Sequence, residues 1–432
     1  MYDIAIIGGG PAGYTAAFEA VKNRMSAVLF ERGQIGGTCL NRGCVPTKYL
    51  SHVARKYYEA KCAEADGLLY QGIGIDYLKT FSRMNGIVSE LRDGLRGRLS
   101  RETVEIIQGE ASIDRNRNVV CGGKTYEAKN ILICTGAAPI ESGIGDGVTS
   151  DDILRMNAIP RRLHILGGGT VAVEFAEIFR MLGSEVTIHI RADRILRRWD
   201  KEIAVGLTQS MKKKGIGIEK NCDFAQLAFE KDSVILSALG RHAVLPSFEC
   251  RLFDTGANGG IVVDNCGRTG TEGVYAAGDV VEGSLQLAHI GMEQGKRAVR
   301  SMAGLDTRGA AVTVKCIYPD QEIASVGLTA VEAEAKGIRA VSAKYSMYAN
   351  ARTVISTQER GFVKILAEKG SKKLIGAQLM CERAGDIAAE LALGINLGIT
   401  VEEMLRSVRP HPSYAEAVTE TLQLLEDKLN DI

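Results

Sequence analysis

Two cysteines five positions apart are the side chains best suited to chemistry. Cys39 and Cys44 form the one close pair among ten cysteines, in a glycine-rich run that continues to Lys48. A structural zinc site usually needs four ligands in two short pairs, and no second Cys or His pair stands at such a spacing. In a chain that is not exported, most cysteines are reduced and buried. We therefore interpret the pair as redox-active and the other eight cysteines as structural, and the sequence predicts no metal site.

Two glycine-rich turns repeat along the chain. Apolar runs at Tyr2–Ile7 and Leu163–Leu166 each lead into a Gly-Gly-Gly turn, a helical pattern and a second apolar strand, at Ala27–Phe30 and Val186–Ile190. Such turns let a pyrophosphate approach the amide groups at a helix N-terminus. The pattern therefore predicts two dinucleotide sites, and the residues expected to line their turns are Gly8, Gly10 and Gly13 in the first, and Gly167, Gly169 and Ala172 in the second.

The two repeats differ in the charge of the residues at the end of their second strand. Glu31 follows Gly8 by twenty-three residues, where an acid accepts hydrogen bonds from an adenosine ribose. The same step from Gly167 reaches Ile190, followed by Arg191. The first site therefore suits an unmodified adenosine, whereas the second offers a group of cations: Arg191, Arg194, Arg197 and Arg198.

Further along the chain, the pattern of apolar residues changes twice. Thr125–Pro139 is typical of a strand pair, and Gly273–His289 holds a Gly-Asp-Val motif. From about residue 310, alternating strands such as 362–366 and 375–380 precede helices at about 384–397 and 414–429. The sequence predicts an α/β protein with two Rossmann-like dinucleotide-binding domains and a C-terminal α+β domain.

Composition excludes several classes of protein. Hydrophobic residues make up 45 % and charged residues 24 %, which is ordinary for a globular chain. The 53 basic and 52 acidic residues leave a formal charge of +1, so no nucleic-acid or anionic-membrane surface is indicated. No apolar run is long enough to span a bilayer, and no secretory signal is visible. We expect a cytoplasmic protein with neither nucleic acid nor membrane as a partner.

These motifs together resemble the dimeric pyridine nucleotide–disulfide oxidoreductases, the family of dihydrolipoamide dehydrogenase and glutathione reductase. The run from Gly36 to Lys48 and the Leu287-Ala288-His289 segment are similar to the lipoamide dehydrogenase version. The chain looks shortened at 136–149 and 215–240. The resemblance implies an FAD domain at residues 1–148, an NAD(P) domain at 149–261, a second part of the FAD domain at 262–309 and a dimerisation domain at 310–432.

The resemblance also implies residue roles. Cys39 and Cys44 would form a disulfide that FAD reduces, with Cys39 exchanging with substrate and Cys44 against the flavin. We expect the nearby helix N-terminus to lower the pKa of these thiols. Lys48 would approach the flavin and pair with Glu174, which presents the nicotinamide. The FAD contacts implied are Gly8, Gly10, Gly13, Glu31, Arg32, Thr38, Lys48, Ala111, Thr135, Gly136, Asp279, Leu287, Ala288 and His289; those implied for NAD(P) are Gly167, Gly169, Ala172, Glu174, Arg191, Arg197 and Gly240.

A base for dithiol exchange is expected near the C-terminus. An imidazole is the side chain whose charge changes near neutral pH, which makes His411 the candidate, and Glu416, five residues on, would orient it. In this family such a His reaches the disulfide from the partner subunit, which implies a homodimer. The family's usual flanking residues are replaced by Arg409-Pro410 and Ser413-Tyr414-Ala415. The other five histidines are interpreted as structural, with His289 near the flavin.

The resemblance leaves three functions open. The first is an FAD enzyme passing electrons between a lipoyl dithiol, carried on a protein, and a nicotinamide nucleotide. The second is an NADPH-dependent reductase of another small disulfide, and the third is a non-disulfide FAD electron-transfer enzyme. Because Ile190 and Arg191 are similar to the arrangement in NADPH-using glutathione reductases, we expect NADP(H) to be favoured over NAD(H).

Overall fold

The computed structural model describes residues 1–308, 312–357 and 361–431. The predicted boundary between residues 309 and 310 therefore lies outside the described residues. The strands are β1 Tyr2–Ile7, β2 Ala27–Glu31, β3 Glu105–Gln108, β4 Ala111–Ile113, β5 Val119–Cys121, β6 Lys124–Tyr126, β7 Ala128–Ile133, β8 Ala137–Pro139, β9 Val148–Thr149, β10 Arg162–Leu166, β11 Glu185–His189, β12 Gly217–Glu219, β13 Val234–Ser237, β14 Arg241–Ala243, β15 Ser247–Phe248, β16 Val274–Ala276, β17 Val314–Ile317, β18 Ile323–Gly327, β19 Ala340–Ser346, β20 Phe362–Glu368 and β21 Leu374–Met380.

Helices alternate with strands from β1 to β2 and from β10 to β12. They are α1 Pro11–Lys22, α2 Gly37–Arg42, α3 Cys44–Cys62, α4 Tyr77–Arg101, α5 Ser150–Ile153, α6 Thr170–Met181, α7 Lys201–Lys213, α8 Ala288–Met302, α9 Ala330–Ala335, α10 Ala351–Ile355, α11 Ala384–Leu397, α12 Val401–Leu405 and α13 Glu416–Asn430. Short 3₁₀ turns lie at Ala63–Asp66, Phe224–Gln226 and Met347–Ala349. Among the described residues, no helix has the length and apolar character needed to cross a bilayer.

The chain divides into two units by its internal contacts. The first comprises Met1–Val53, Gly74–Ile159 and Leu236–Gly309, and the second comprises Ala54–Ile73, Pro160–Ile235 and Ala310–Ile432. The predicted limits of the four domain segments stay a prediction.

A parallel sheet forms the centre of the first unit. Its order is β16-β7-β1-β2-β3, and each of its faces is covered by a separate apolar cluster. Strands buried on both faces are near-continuous apolar runs, as in Ile4–Ile7. Helices α1 and α8 cross closely because Gly295 has no Cβ, which would lie 2.4 Å from the Ala12 carbonyl oxygen.

The interpretation of Thr125–Pro139 as a strand pair is wrong. The segment contains the end of β6, all of β7 and β8. β7 lies inside the parallel sheet, between β1 and β16, whereas β6 pairs with β5. Ile131, Leu132 and Ile133 are all buried, which is typical of a central parallel strand rather than half of a hairpin.

The second unit holds a parallel group and an antiparallel sheet. β10, β11 and β12 pair in parallel, with Leu166 opposite His189 and His189 opposite Glu219. The C-terminal sheet has the order β17-β18-β21-β20-β19, with α11 and α13 packed on it around one apolar core. The α+β interpretation of this region is confirmed. The last helix begins at Glu416, two residues later than predicted.

Candidate active site

The two cysteines lie on either side of a break between two helices. α2 ends at Arg42 and α3 begins at Cys44, with Gly43 between them at φ −144° and ψ −113°. A Cβ on Gly43 would lie 2.9 Å from the Thr38 carbonyl oxygen. This break interrupts the helix and brings the Cys39 side chain into hydrogen-bond contact with Cys44.

The amide of Asn41 holds the loop that carries the thiols. Its Nδ2 donates to three carbonyl oxygens, those of Gln34, Ile35 and Gly37, at 3.2, 3.1 and 2.9 Å. Such local side-chain hydrogen bonds let the backbone leave regular helix. Sequence reasoning missed Asn41, although an Asn beside glycines is a signal of this kind of turn.

The electrostatics of the thiol pair differ from the sequence expectation. The hydrogen bond to Cys44, together with burial, raises the pKa of Cys39, so the predicted lowering is wrong for this thiol. Two adjacent thiols do not readily ionise together, because the second negative charge is repelled by the first. Tyr14 of α1 lies close by, and its pKa is raised to about 12 by burial and by the charges of Cys39 and Cys44. Tyr14 is a second site residue that the sequence did not indicate.

The first glycine turn has the shape of a site for an adenosine dinucleotide. Gly8 has φ +107°, and a Cβ there would lie 2.3 Å from the Cys134 carbonyl oxygen. A Cβ on Gly13 would lie 1.8 Å from the Gly8 oxygen. Glu31 ends β2, and its carboxylate accepts from the N–H groups of Gly9 at 2.8 Å and Gly33 at 2.6 Å. The acid is thus beside the turn, where an adenosine ribose would meet it.

Two further polar groups of the first unit, Thr135 and Asp279, suit contacts with FAD. Thr135 Oγ1 is buried and makes no hydrogen bond to any described residue. Burial raises the pKa of Asp279, against the opposing effect of Arg241. A buried polar atom without a partner is costly, and the ribityl hydroxyls and pyrophosphate of FAD offer both donors and acceptors. The residues present therefore fit FAD.

The remaining predicted FAD residues lie at several places in the first unit. Arg32 is exposed and pairs with Glu110 at 3.1 Å. Ala111 is buried at the start of β4, and Leu287 precedes α8, which begins with Ala288 and His289. Gly136 has φ +72°, Gly10 lies close to Gly37, and Thr38 and Lys48 flank the cysteines in α2 and α3.

Backbone hydrogen bonds fix the correspondence between the two glycine turns. Gly8 N donates to the Phe30 oxygen at 2.8 Å, and Gly167 N donates to the His189 oxygen at 2.9 Å. Glu31 and Ile190, each the next residue, therefore occupy equivalent positions. A Cβ on Gly168 would lie 2.7 Å from the Ile190 side chain, as one on Gly9 would meet Glu31. The second turn thus carries a buried Ile190 where the first carries an acid.

Arg191 lies at the end of this strand. It is exposed, and its guanidinium carbon lies 4.6 Å from the centre of the Phe224 ring. Such a cation–π contact restrains an exposed guanidinium. Arg197 is also exposed, and its carbonyl accepts from Arg194 at 3.1 Å. Sequence reasoning missed Phe224, which contacts the Arg191 guanidinium.

The other predicted nucleotide residues are divided between the units. Gly169 precedes α6, and Ala172 and Glu174 are buried within it. Glu174 Oε1 accepts from the backbone N–H of Tyr318 at 2.9 Å. Gly240, with φ +105°, belongs to the first unit, as does Lys48. The pairing of Lys48 with Glu174 stays a prediction.

His411 and Glu416 form a pair in the second unit. His411 Nδ1 lies 2.7 Å from Glu416 Oε1, and Glu416 Oε2 accepts from the Ser413 N–H at 2.7 Å. These two contacts lower the pKa of Glu416. Because Nδ1 faces the carboxylate, Nε2 is the nitrogen that can take up or return a proton. The His411 side chain is 73 % exposed, so it is accessible to a reacting group.

The residues that stand in place of the family's usual ones around His411 contact other side chains of the second unit. Arg409 is buried against Glu390 and donates to Thr419 at 2.9 Å, and the Tyr414 hydroxyl donates to Ser356 at 2.9 Å. A cavity of about 490 Å³ adjoins this segment, with Arg383 and Pro412 in its lining. The departures from the family pattern therefore leave the His–Glu pair intact and shape the surface beside it.

Family comparisons agree with this geometry. The family described as pyridine nucleotide-disulphide oxidoreductase matches residues 2–295, and its dimerisation domain matches residues 313–422. The chain belongs to this family.

Several relatives within the family are dihydrolipoyl dehydrogenases. The chain is 31 % identical over 449 residues to the one from Geobacillus stearothermophilus, covering 97 % of this chain and 95 % of that protein. It is 30 % identical to the one from Mycoplasma pneumoniae, covering 97 % of each. Among solved structures, LpdA from Mycobacterium tuberculosis matches with TM-score 0.89, 25 % identity and coverage of 98 % and 99 %. The HOCl-induced flavoprotein disulfide reductase RclA from Escherichia coli matches with TM-score 0.86, 26 % identity and coverage of 98 % and 100 %.

Membership of the family confirms the main predictions from sequence. The chain has the predicted fold class, and it is an enzyme, a dihydrolipoyl dehydrogenase-like flavoprotein disulfide oxidoreductase. FAD and a pyridine nucleotide are its cofactors, and it carries the family's dimerisation domain. The roles of individual residues stay predictions.

Proposed function

We propose that this enzyme passes electrons between a lipoyl dithiol and NADP(H), using Cys39, Cys44 and His411. The observation that carries the proposal is the contact between Cys39 and Cys44 at the helix break, in the same unit as residues that fit FAD. Bound FAD would supply the two-electron relay between sulfur and nicotinamide, for which protein side chains have no group.

The dithiol exchange follows from the chemistry of the three residues. A thiolate of the dihydrolipoyl group attacks Cys39 sulfur, the Cys39–Cys44 bond breaks, and Cys44 leaves as a thiolate. The second lipoyl thiol then attacks the mixed disulfide, which releases the lipoyl disulfide and the reduced Cys39. Two electrons pass from the lipoyl sulfurs to the cysteine pair. His411 Nε2 accepts the proton that the attacking thiol loses, and Glu416 stabilises the resulting imidazolium.

The preference for NADP(H) rests on the end of β11. Ile190 places no acid that would repel a 2′-phosphate, and Arg191 is held beside it by Phe224. A guanidinium binds phosphate through two hydrogen bonds. Each charge-assisted contact contributes about 1.5–3 kcal/mol, and every 1.4 kcal/mol or so is tenfold in affinity.

The presence of Ile190 and Arg191 at the end of β11 also favours a second candidate function, an NADPH-dependent reductase of a small disulfide other than lipoamide. Nucleotide choice does not decide between them, because both would use the same cysteines and base. RclA, a structural relative, is a disulfide reductase by description. The substrate therefore has to be measured.

Two partners are proposed for this enzyme: a second copy of the same chain and a protein that carries a lipoyl group. We propose a homodimer in which His411 serves the cysteines of the partner subunit. Apolar side chains exposed in the dimerisation domain support this proposal, and they are Val354, Ile355, Leu393, Leu397 and Val408. A lipoyl group linked to a carrier protein is the proposed substrate, and a cytoplasmic location stays a prediction.

A substrate panel tests these proposals. The holoenzyme is assayed with dihydrolipoamide, lipoamide, oxidised glutathione and a quinone, each with both nucleotides. We expect the highest kcat/KM with the lipoyl pair and NADP(H), and loss of disulfide turnover in Cys39→Ser but not in Cys62→Ser, an exposed cysteine outside the pair. A higher kcat/KM with glutathione would establish the second function. Turnover of the quinone alone would contradict both.

A further inference from the structure

Three side chains at the ends of β11 and β12 meet in a way the sequence did not suggest. One atom from each of His189, Glu219 and Cys222 lies within 4.8 Å of the other two. His189 is buried, Cys222 is partly buried and Glu219 is exposed. From sequence, His189 and Cys222 are interpreted as structural and Glu219 has no assigned role, since thirty positions separate the histidine from the Glu219–Cys222 segment.

The backbone fixes this grouping. Ile190 N donates to the Glu219 oxygen and Cys222 N donates to the Ile190 oxygen, both at 2.9 Å. Asn221 N donates to the Ala192 oxygen at 3.2 Å. Cys222 is therefore held beside the strand end that carries His189, and its position does not depend on side-chain contacts.

A chain of hydrogen bonds meets the other ring nitrogen of His189. His164 Nε2 lies 3.1 Å from Glu230 Oε2, and His164 Nδ1 lies 3.0 Å from His189 Nε2. An ionised carboxylate only accepts, so His164 Nε2 donates to Glu230. With a cation on His189 Nδ1, His189 Nε2 would donate to His164 Nδ1, so the chain leaves Nδ1 as the ligand atom.

His189 Nδ1 faces two other electron-rich atoms, a carboxylate oxygen of Glu219 and the sulfur of Cys222. The buried nitrogen lies 2.9 Å from Glu219 Oε2, in an orientation that does not give a hydrogen bond to any described residue. The Phe229 ring packs beside both imidazoles, with centroids 4.9 and 5.6 Å away. An imidazole nitrogen, a carboxylate oxygen and a thiol sulfur are ligands of a borderline-soft cation.

We propose that His189, Glu219 and Cys222 bind one Zn²⁺ ion, with water as the fourth ligand. In a tetrahedral site with Zn–N and Zn–O bonds near 2.0–2.1 Å and a Zn–S bond near 2.3 Å, ligand atoms lie about 3.3–3.6 Å apart. The three ligand atoms lie within 4.8 Å of one another, so small movements of the Glu219 and Cys222 side chains reach this spacing. The Glu230–His164 pair is the outer partner that orients a metal-binding imidazole.

The ion would connect the segment after β11 to the segment after β12. Arg191 comes two residues after His189, and its partner Phe224 comes two residues after Cys222. A bound ion at this place would hold the two segments together. The site is separate in sequence from the cysteine pair and from the His–Glu pair.

Equilibrium dialysis of the tag-free holoenzyme against Zn²⁺ tests the proposal. The enzyme is kept oxidised, so that the proposed disulfide does not bind the ion, and bound zinc is counted by atomic emission. We expect one Zn²⁺ per chain, an affinity loss of more than 100-fold in Cys222→Ser and Glu219→Gln, and a loss of about 10–100-fold in Glu230→Gln. Cys250→Ser, another partly buried cysteine, should leave the affinity unchanged.

X-ray absorption at the zinc edge gives a second readout. It should show one sulfur near 2.3 Å and nitrogen or oxygen ligands near 2.0–2.1 Å, with the sulfur lost in Cys222→Ser. If that variant fails to fold, the exposed Glu219→Gln variant carries the dialysis test alone. Absence of stoichiometric binding in the wild type, or binding that is unaffected by Cys222→Ser and Glu219→Gln, would overturn the proposal.

Discussion

At the residue scale, the two thiols are distinguished by their surroundings. Cys44 is exposed at the first position of α3, where the helix N-terminus favours an anion. Cys39 is partly buried, and its pKa is raised by the contact with Cys44 and by burial. We therefore propose that the proton of the reduced pair stays on Cys39 and that Cys44 carries the thiolate.

This assignment predicts a spectroscopic difference between two variants. On two-electron reduction, a Cys44 thiolate beside FAD should give a long-wavelength charge-transfer absorbance. Cys39→Ser should keep this band because Cys44 still ionises, whereas Cys44→Ser should lose it. The measurement is an anaerobic absorbance titration, with Cys62→Ser as the control. The reverse pattern would exchange the roles of the two sulfurs.

The second residue-scale prediction concerns the base. A positioned general base contributes about 10²–10⁴ in rate, so His411→Gln should lower kcat for dihydrolipoamide by that factor. Glu416→Gln should have a smaller effect, because it removes the ionised acceptor of the imidazolium and leaves the imidazole. The pH dependence of kcat, measured alongside, should change in Glu416→Gln. An unchanged kcat in His411→Gln would exclude this residue as the base.

A third residue-scale prediction follows from Asp279. Burial raises the pKa of its carboxyl above the ordinary Asp value, so the folded flavin-free protein binds more protons than the unfolded chain. Such a group reduces stability progressively as the pH rises above the unfolded pKa. Asp279→Asn should therefore raise the melting temperature of the flavin-free protein at pH 7, and the gain should shrink towards about pH 4.

The same variant should retain FAD less well, since a ribityl acceptor is lost. FAD content after dialysis measures this, with Asp254→Asn, an exposed acid of the same unit, as the control. A more stable apoprotein with unchanged FAD retention would contradict the assignment of Asp279 to the flavin site. Opposite effects on stability and binding are common at functional residues.

At the scale of elements, the repeated strand–turn–helix–strand pattern could be predicted closely from sequence. Its glycines and apolar runs determine the turn and the buried strands locally, and the equivalence of Glu31 and Ile190 follows from residue spacing alone. The backbone hydrogen bonds give the same register. The predicted strand Val186–Ile190 lies one residue earlier in the structure, at Glu185–His189.

Contacts between distant segments could not be predicted in this way. The Glu230–His164–His189 chain joins two strands and a loop, and Phe224 reaches Arg191 from a 3₁₀ turn. β7 was misassigned because its place between β1 and β16 depends on residues more than a hundred positions away. Hydrophobic periodicity indicates which face of a helix or strand is buried, but it does not indicate which segment packs against that face.

The prediction at the scale of elements concerns Arg191, at the end of β11. Arg191→Glu should shift the ratio of kcat/KM for NADPH over NADH towards NADH by tenfold or more, because an acid repels the 2′-phosphate and accepts from the ribose hydroxyl. Arg115→Glu, an exposed arginine of the other unit, is the control for a general charge effect. A wild-type kcat/KM clearly higher for NADH would contradict the NADP(H) proposal at once.

At the scale of the whole molecule, the cysteine pair and the His–Glu pair belong to different units of the chain. The chain carries the family's dimerisation domain, and a two-fold dimer makes two equivalent sites from residues of both copies. The central claim is that each site combines Cys39 and Cys44 of one subunit with His411 of the other.

Mixing two inactive variants tests this claim most directly. Cys39→Ala and His411→Ala subunits are combined in equal amounts under conditions of verified subunit exchange, and dihydrolipoamide oxidation is measured. Half of the dimers are then mixed, and one of the two sites in each is intact, so about a quarter of wild-type activity should return. No recovery, despite mixed dimers, would show that His411 acts on the cysteines of its own chain and would contradict the shared site.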